Sequence, residues 1–160
     1  NPEAIHLTLK FLGNVEHSIC ENLLHAPRQA THNLAPFTVT FSEIRGFPDI
    51  HRPRVICLSM DQPPDPLIEL HRRVDLEVSA IAKVPSETRQ FVPHLTLGRV
   101  HTRVTQGERM AIGQTLGKDP IRPNVSWLAD EIKLMRSIIT KQGATYESLG
   151  SAKLTSISHE

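Results

Sequence analysis

The sequence predicts an α+β fold, and two observations lead to that class. The predicted elements run strand, helix, strand, strand and then helix, strand, uncertain helix, strand, strand, an order typical of α+β proteins. The pattern His-Leu-Thr-Leu also occurs twice, beginning at His6 and at His94, so that 88 residues separate the two histidines. With 160 residues the chain has the length of one domain, and the spacing lets each copy lie in its own half of that domain.

Both copies are predicted to be strands with one apolar and one polar face, because successive side chains of a strand point to opposite faces. In the first copy the apolar positions are Ile5, Leu7, Leu9 and Phe11, and the polar ones are His6, Thr8 and Lys10. In the second copy the apolar positions are Leu95 and Leu97, and the polar ones are His94 and Thr96. We therefore expect each apolar face to pack on a core and each polar face to line a cleft or meet solvent.

The elements after the first copy are delimited by glycine, proline and capping residues. They are a helix over about 18–30, a strand at 37–41 that can extend to 44, a loop over 45–53 and a short apolar strand over 54–60. Ser18 and Glu21 fit a capping box at the start of the helix, and Pro27 is expected to end or kink it.

In the second half, a helix over 67–83 has the clearest signal, because apolar residues recur there at helical spacing. Asp65 can cap this helix, and Pro66 suits its first position. The other expected elements are the second-copy strand from 91 or 93 to about 100, an uncertain helix within 102–118, a long strand over 129–140, a turn at 141–143, a returning strand over 144–149 and a frayed tail after 153. The uncertain helix contains three glycines, which weaken a helix.

Composition and charge are those of an ordinary soluble protein. Hydrophobic residues make up 39% and charged residues 22% of the chain, and no apolar run approaches the length of a membrane span. The net charge of +1 argues against a surface that coats nucleic acid broadly, but it allows a local basic site at an RNA end. Cys20 and Cys57 lack a metal-binding spacing and predict reduced thiols in a cytoplasmic protein. We expect the protein to act as a monomer.

The residue types of the repeated pattern suit acid–base chemistry at phosphorus. Imidazole titrates near neutral pH, and a hydroxyl two residues along the strand points the same way and can donate to an anionic oxygen. If two such pairs face each other, one histidine can activate a nucleophile while the other protonates a leaving group. The threonines can then hold the charged oxygens, which fits displacement at phosphorus. One His-x-Thr alone is usually structural, but two copies with leucine at both variable positions are hard to ascribe to chance.

The paired His-x-Thr-x motifs resemble those of the two-histidine phosphoesterase superfamily. Their surroundings are similar to the bacterial and archaeal RNA 2',3'-cyclic phosphodiesterases, historically called 2'-5' RNA ligases. The stretches that carry the resemblance are Ile5–Gly13, Arg89–Arg99, Pro53–Ile56 and Glu131–Ser137, so it spans nearly the whole chain. The resemblance implies a single bilobal domain over 1–160, with two pseudo-symmetric lobes of antiparallel sheet, outer helices and a catalytic cleft between the lobes. It also implies a further strand and helix before the first motif, which this sequence is expected to lack.

The function implied by the resemblance is hydrolysis of RNA 2',3'-cyclic phosphate ends to 2'-phosphomonoesters. His94 would be the base that activates water, His6 the acid that protonates the leaving 3'-oxygen, and Thr8 and Thr96 the donors to the non-bridging oxygens. No metal or other cofactor is implied. The reverse reaction with a 5'-hydroxyl would give weak 2'-5' RNA ligation.

Three further residues are candidates for contacts with substrate. Lys10 shares the polar face of the first copy and can meet a phosphate or only solvent. Strict alternation turns Arg99 away from the site, although the family often has a basic residue at this offset and a bulge could re-aim it. Phe91 can stack on a terminal base or belong to the core. A zinc site built from His6 and His94 lacks an evident third ligand.

Two other functions stay open at this point. The same chemistry fits a phosphodiesterase that acts on small cyclic nucleotides or 2'-5' oligonucleotides instead of RNA 3' ends. A non-catalytic nucleotide- or RNA-binding module is the alternative from another class, although the intact histidines and threonines argue against it.

Overall fold

The structure, a computed structural model, describes residues 5–118, 123–141 and 143–156. Its strands are β1 (Phe37–Phe41), β2 (Glu43–Phe47), β3 (Val55–Ser59), β4 (His94–Arg99), β5 (Val125–Ala129), β6 (Glu131–Thr140) and β7 (Gly143–Lys153). Its helices are a 3-10 turn (His17–Ile19), α1 (Cys20–Leu23), α2 (Ala26–Thr31), α3 (Asp65–Ala82) and α4 (Gln106–Lys118). None of the described helices is long and apolar enough to cross a membrane.

The chain divides into two compact units. The first holds the described residues of 1–8, 40–63 and 92–126, and the second those of 9–39, 64–91 and 127–160. Among the described residues, three sheets have the strand orders β2-β3-β4, β1-β5 and β6-β7. The strand pairs β2-β3, β3-β4 and β6-β7 are antiparallel.

In the first unit, β3 is the central strand of the three-stranded sheet. It pairs with β4 so that Cys57 lies opposite Thr96 and Ile56 opposite Gly98, which leaves Leu97 as an unpaired bulge residue. The first copy of the repeated pattern joins β4 through a single antiparallel bridge, Leu7 to Leu95.

The prediction of a regular strand for the first copy was therefore wrong. Pro93 has no N–H to extend the ladder on one side of the bridge, and the bulge at Leu97 interrupts it on the other. The expected apolar face is also incomplete, since the Phe11 side chain is 80% exposed.

Helix α4 confirms the helix that was uncertain from the sequence, although the segment contains three glycines. The hydroxyl of Thr105 accepts a hydrogen bond from the Glu108 N–H at 3.3 Å, and the Glu108 carboxylate accepts one from the Thr105 N–H at 2.8 Å. This capping box stabilises the helix start, and its Thr-x-x-Glu signature is visible in the sequence. Gly113 is required by a close approach, because a Cβ there would lie 2.7 Å from the His51 carbonyl oxygen and closer still to that of Ile50.

We expect Gly113→Ala to lower the free energy of unfolding by about 2 kcal/mol or more, because backbone atoms of Ile50 and His51 would have to move. Gly107→Ala is the matched control, since a Cβ at that position meets nothing within 4 Å. It should raise the free energy of unfolding by up to about 1 kcal/mol, because alanine restricts the unfolded chain. Urea unfolding of both variants measures this. Equal effects at the two glycines would contradict the packing of α4 on the 50–51 backbone.

In the second unit, α3 is the main scaffold and begins at Asp65, two residues before the predicted start, with Pro66 in its first turn. The N-cap residue of this helix is Pro64, so the prediction that Asp65 caps it was wrong. Its residues Leu70 and Val78 are buried in two small cores together with residues of α1 and α2. Leu154 belongs to one of these cores and its N–H donates to the Asp130 carbonyl at 2.7 Å. The prediction of a frayed tail after Lys153 was therefore wrong at this residue.

Three other element predictions need correction. The helix expected over 18–30 is broken into the 3-10 turn, α1 and α2, and Pro27 lies in the first turn of α2 rather than ending a helix. Ser18 makes no capping hydrogen bond, because its hydroxyl donates to Glu16 instead. Residues 45–47 belong to β2 instead of the loop that was expected over 45–53, and the strand β5 was not predicted.

Candidate functional site

The two His-x-Thr pairs meet in the first unit. The bridge between Leu7 and Leu95 is antiparallel, so it aligns His6 with Thr96 and Thr8 with His94. Residues opposite each other in this way have Cβ atoms roughly 5 Å apart. All four residues belong to one compact unit. The spacing of the motifs had allowed, but did not require, one copy in each half of the domain.

The register of the sheet shows which side chains share the face of His94 and Thr96. On β3 their partners are Ser59 and Cys57, which are two residues apart and thus on one face. Leu95 lies on the opposite face, where it is buried as predicted. Leu97, in contrast, is 44% exposed because the bulge removes it from that packed face.

The same bulge changes the orientation expected for Arg99. Strict alternation from His94 placed Arg99 on the far face, but its partner on β3 is Val55, two residues before Cys57. Val55, Cys57 and Ser59 share a face, so Arg99 lies on the face of His94 and Thr96. Its side chain is exposed, and it makes no ion pair within the described part of the chain.

His94 is held in a defined tautomer. Its Nδ1 lies 2.9 Å from the carbonyl oxygen of Val92, and a carbonyl oxygen only accepts, so Nδ1 carries the hydrogen. In the neutral imidazole the lone pair is then on Nε2, where it can accept a proton. The ring of Phe47 packs against this imidazole, with ring centroids 5.5 Å apart at 47°.

Phe47 is a site residue that sequence reasoning missed. It was assigned to a loop, but it is the last residue of β2 and pairs with Val55 on β3. The apolar residues Ile44 and Phe47 are three positions apart, so alternation in the sequence did not predict a strand through Phe47.

The two threonine side chains of the motifs are available for a ligand. Neither hydroxyl of Thr8 or Thr96 makes a hydrogen bond to another residue that the structure describes, and both side chains are half-buried. The described residues also hold no group of three or more histidine, cysteine or acidic side chains arranged to bind a metal ion.

Lys10 belongs to the second unit. Its ammonium forms a salt bridge with Asp75, and it lies 3.4 Å from the Ser79 hydroxyl and 3.2 Å from the Pro85 carbonyl oxygen. The side chain is only 5% exposed, so it is engaged in the interior of this unit. Burial raises the pKa of Asp75, but hydrogen bonds from Lys10 and the Glu87 N–H outweigh burial and lower that pKa below its ordinary value.

Phe91 also lies in the second unit, and it is stacked on His71 with centroids 4.0 Å apart and planes at 10°. One ring face is thereby occupied by a neighbour in the fold. Burial is the main cause that lowers the pKa of His71, while the charges of Asp75 and Glu87 oppose it. Lys10 and Phe91 thus have partners within the second unit. The other five candidates lie together in the first unit, and they are His6, Thr8, His94, Thr96 and Arg99.

Comparison with known proteins assigns this chain to a family. Residues 2–138 match the model of the 2'-5' RNA ligase superfamily. The chain belongs to the 2'-5' RNA ligase superfamily. This confirms the resemblance drawn from the repeated motif.

Curated enzymes are among the proteins that are similar to this chain. The RNA 2',3'-cyclic phosphodiesterase of Thermotoga maritima is 30% identical over 148 residues, which cover 92% of this chain and 74% of that protein. The RNA 2',3'-cyclic phosphodiesterase of Aquifex aeolicus is 26% identical over 149 residues, which cover 91% and 75%. The chain is thus similar over more than nine-tenths of its length to curated phosphodiesterases, which confirms the predicted enzyme class.

Solved structures of the superfamily confirm the mixed helix and antiparallel-sheet fold class. E. coli LigT complexed with 3'-AMP matches with a TM-score of 0.71 and 30% identity, covering 97% of this chain and 79% of LigT. The protein TT0787 of Thermus thermophilus matches with a TM-score of 0.75 over 98% of this chain and 81% of that one. At 22% identity, the second match concerns the fold alone.

Proposed function

We propose that this chain hydrolyses the 2',3'-cyclic phosphate at the 3' end of an RNA and leaves a 2'-phosphomonoester. The observation that carries this proposal is the bridge from Leu7 to Leu95, which sets two His-x-Thr pairs side by side in antiparallel register. Family membership supports it, because curated relatives are named RNA 2',3'-cyclic phosphodiesterases.

In the proposed reaction, water attacks phosphorus and the bond to the 3'-oxygen breaks. The Nε2 of His94 takes a proton from the attacking water, a role that its hydrogen bond to Val92 suits because it leaves that lone pair free. Protonated His6 gives a proton to the departing 3'-oxygen. The product then carries a 3'-hydroxyl and a 2'-phosphate, and the two histidines have exchanged protonation states.

Charge on the non-bridging oxygens is stabilised by neighbouring donors in this proposal. The hydroxyls of Thr8 and Thr96 make no other hydrogen bond among the described residues and can donate to these oxygens. Arg99 adds positive charge on the same face of the sheet, where the bulge at Leu97 places it.

Weak 2'-5' RNA ligation follows from the same groups. In this reaction the 5'-hydroxyl of a second RNA takes the place of water and attacks phosphorus of the cyclic end. The bond to the 3'-oxygen breaks, that oxygen takes a proton from His6, and a 2'-5' linkage is left. Water is far more concentrated than RNA ends, so we propose hydrolysis as the main activity and ligation as a weak one.

The direct test is turnover of an oligoribonucleotide with a 2',3'-cyclic end in the presence of EDTA. Phosphorus NMR of the product reads the phosphate position. We expect turnover without added metal and a 2'-phosphate as product. A 3'-phosphate would contradict the proposed leaving group, and binding of the RNA without turnover would favour the non-catalytic binding module.

A second candidate is a phosphodiesterase for small cyclic nucleotides. It is favoured by the complex of the neighbour LigT with 3'-AMP, a mononucleotide. Comparing kcat/KM for a 2',3'-cyclic mononucleotide with that for the oligoribonucleotide separates the two. The proposal of an RNA substrate requires the oligoribonucleotide to have the higher value.

A further inference from the structure

One end of the β2-β3-β4 sheet carries a group of exposed arginines that the proposed chemistry does not use. We call this group the arginine surface, and its members are Arg52, Arg54 and Arg103. The Arg54 carbonyl accepts a hydrogen bond from the Val100 N–H at 2.9 Å, and Arg52 closes a turn with Asp49. Residues from two distant parts of the chain therefore meet here.

Arg109 holds these two segments in place. Its Nη1 donates to the Pro53 carbonyl at 2.9 Å, and its Nη2 donates to the His101 carbonyl at 3.5 Å. Pro53 separates Arg52 from Arg54, and the Arg103 N–H donates to the His101 imidazole at 3.1 Å. The backbones that carry the arginine surface are thus clamped, while the three guanidinium groups stay exposed.

The arginine surface is not neutralised by the fold. Within the described ranges, none of its three side chains makes an ion pair. Two carboxylates of the same segments accept other hydrogen bonds, Asp49 from the His51 N–H and Glu108 from the Thr105 N–H at the start of α4. The whole chain has 18 basic and 17 acidic residues, so this end of the sheet concentrates positive charge in an otherwise balanced molecule.

The arginine surface lies at the end of β4 that carries Arg99, where the proposed catalytic face ends. Strand β4 runs from His94 to Arg99, and Arg99 lies opposite Val55, which follows Arg54 directly. At about 3.3 Å per residue, the start and end of β4 are roughly 15 Å apart. A ligand that contacts both ends must be longer than one nucleotide and must carry several negative charges.

We infer that the arginine surface binds the phosphodiester backbone of the RNA strand that leads to the terminal cyclic phosphate at His6 and His94. The inference rests on the proposed function and names its substrate class, a single-stranded RNA rather than a small cyclic nucleotide. Guanidinium groups suit this role, because their planar donor fork matches phosphate oxygens. Because every nucleotide carries the same phosphate, such contacts would not require a particular base sequence.

The test replaces Arg52, Arg54 and Arg103 together with alanine. Its matched control removes the same charge from exposed positions elsewhere, through Arg28→Ala, Arg89→Ala and Lys141→Ala. A third variant with lysine at the three positions keeps the charge. Urea unfolding shows whether each variant keeps the stability of the wild type. We expect this of the alanine variant, because the three arginine side chains make no hydrogen bond or ion pair within the described residues.

Binding is measured by fluorescence anisotropy with a labelled oligoribonucleotide that ends in a 3'-phosphate, between about 50 and 200 mM salt. Three lost phosphate contacts should reduce the slope of log affinity against log salt by about 2 and weaken binding at 0.1 M salt about a hundredfold. The control variant should have the same salt slope as the wild type, and the lysine variant should keep most of that slope. The ratio of kcat/KM for cyclic-ended RNA to that for a cyclic mononucleotide should fall with the affinity.

An unchanged slope in the alanine variant would overturn the inference, as would an equal loss in the control. An equal loss of activity on RNA and on the mononucleotide would place the arginines at the cyclic phosphate instead and would also overturn it. The binding measurement needs no turnover. A wild-type chain that binds RNA through these arginines but hydrolyses nothing would therefore refute the proposed function and leave the arginine surface standing.

Discussion

His94→Ala is expected to lower kcat/KM for RNA with a 2',3'-cyclic end by about 10³-fold, because a positioned general base contributes roughly 10²–10⁴-fold. The chain offers a matched control in His25→Ala, an exposed histidine of the second unit, which should leave activity unchanged. Initial rates for both variants and the wild type, measured with EDTA present, provide the comparison. Activity of His94→Ala within a few-fold of wild type would refute the two-histidine mechanism.

His6→Ala should cause a loss of similar size, and the double variant should lose little more than either single variant, because groups that act as a unit are not additive. The roles of the two histidines can be separated with a substrate that has sulfur in place of the leaving 3'-oxygen. A thiol has a pKa of about 8.5, so sulfur can leave as a thiolate without receiving a proton. We expect sulfur to restore much of the activity of His6→Ala but not that of His94→Ala. Restoration of His94→Ala instead would reverse the acid and base assignments.

Lys10→Met is expected to lower the free energy of unfolding by about 3 kcal/mol, since it leaves the Asp75 carboxylate largely buried without its partner. Urea unfolding at neutral pH measures the change. Arg45→Met is the matched control, because it breaks an exposed ion pair with Glu43 and should cost less than about 1 kcal/mol. A loss for Lys10→Met no larger than for the control would show that the pair is a surface contact.

The pH dependence of this ion pair has a definite sign. The pKa of Asp75 is lowered in the folded protein, so between its folded and unfolded pKa values the unfolded chain binds more protons. The stability contributed by the Asp75 carboxylate is therefore present above about pH 4 and is lost as the pH falls through the lowered pKa. The difference in unfolding free energy between the wild type and Asp75→Asn should shrink over that range. A difference that is constant down to acid denaturation would contradict the lowered pKa.

Much of this protein follows from local patterns in the sequence. Helix α3 was predicted because its apolar residues recur at helical spacing behind Pro66, and the structure confirms it with a start two residues earlier than predicted. Strand β4 was predicted from alternation after Pro93. The helical spacing and the strand alternation each involve only residues that are close together in the sequence. The repeated His-x-Thr pattern itself identified the residues that the bridge aligns.

Other features depend on partners that are distant in sequence, and local patterns do not contain them. Lys10 was a plausible phosphate ligand by alternation, but the structure gives it Asp75, 65 residues away. Gly113 weakens a helix by propensity, yet it is the residue that permits close approach to the Ile50 carbonyl.

The sequence by itself determined the α+β class, the two motifs and the chemistry that their residues can perform, because these depend on side-chain type and short-range periodicity. Only the tertiary structure decided how the motif residues are oriented. The bulge at Leu97, set by pairing with β3, turns Arg99 onto the face of His94, and the Val92 carbonyl selects the tautomer of that histidine. Strand register and hydrogen bonds between strands depend on residues that are distant in sequence. For that reason one unpaired residue, Leu97, puts Arg99 on the opposite face from the one that alternation alone had assigned.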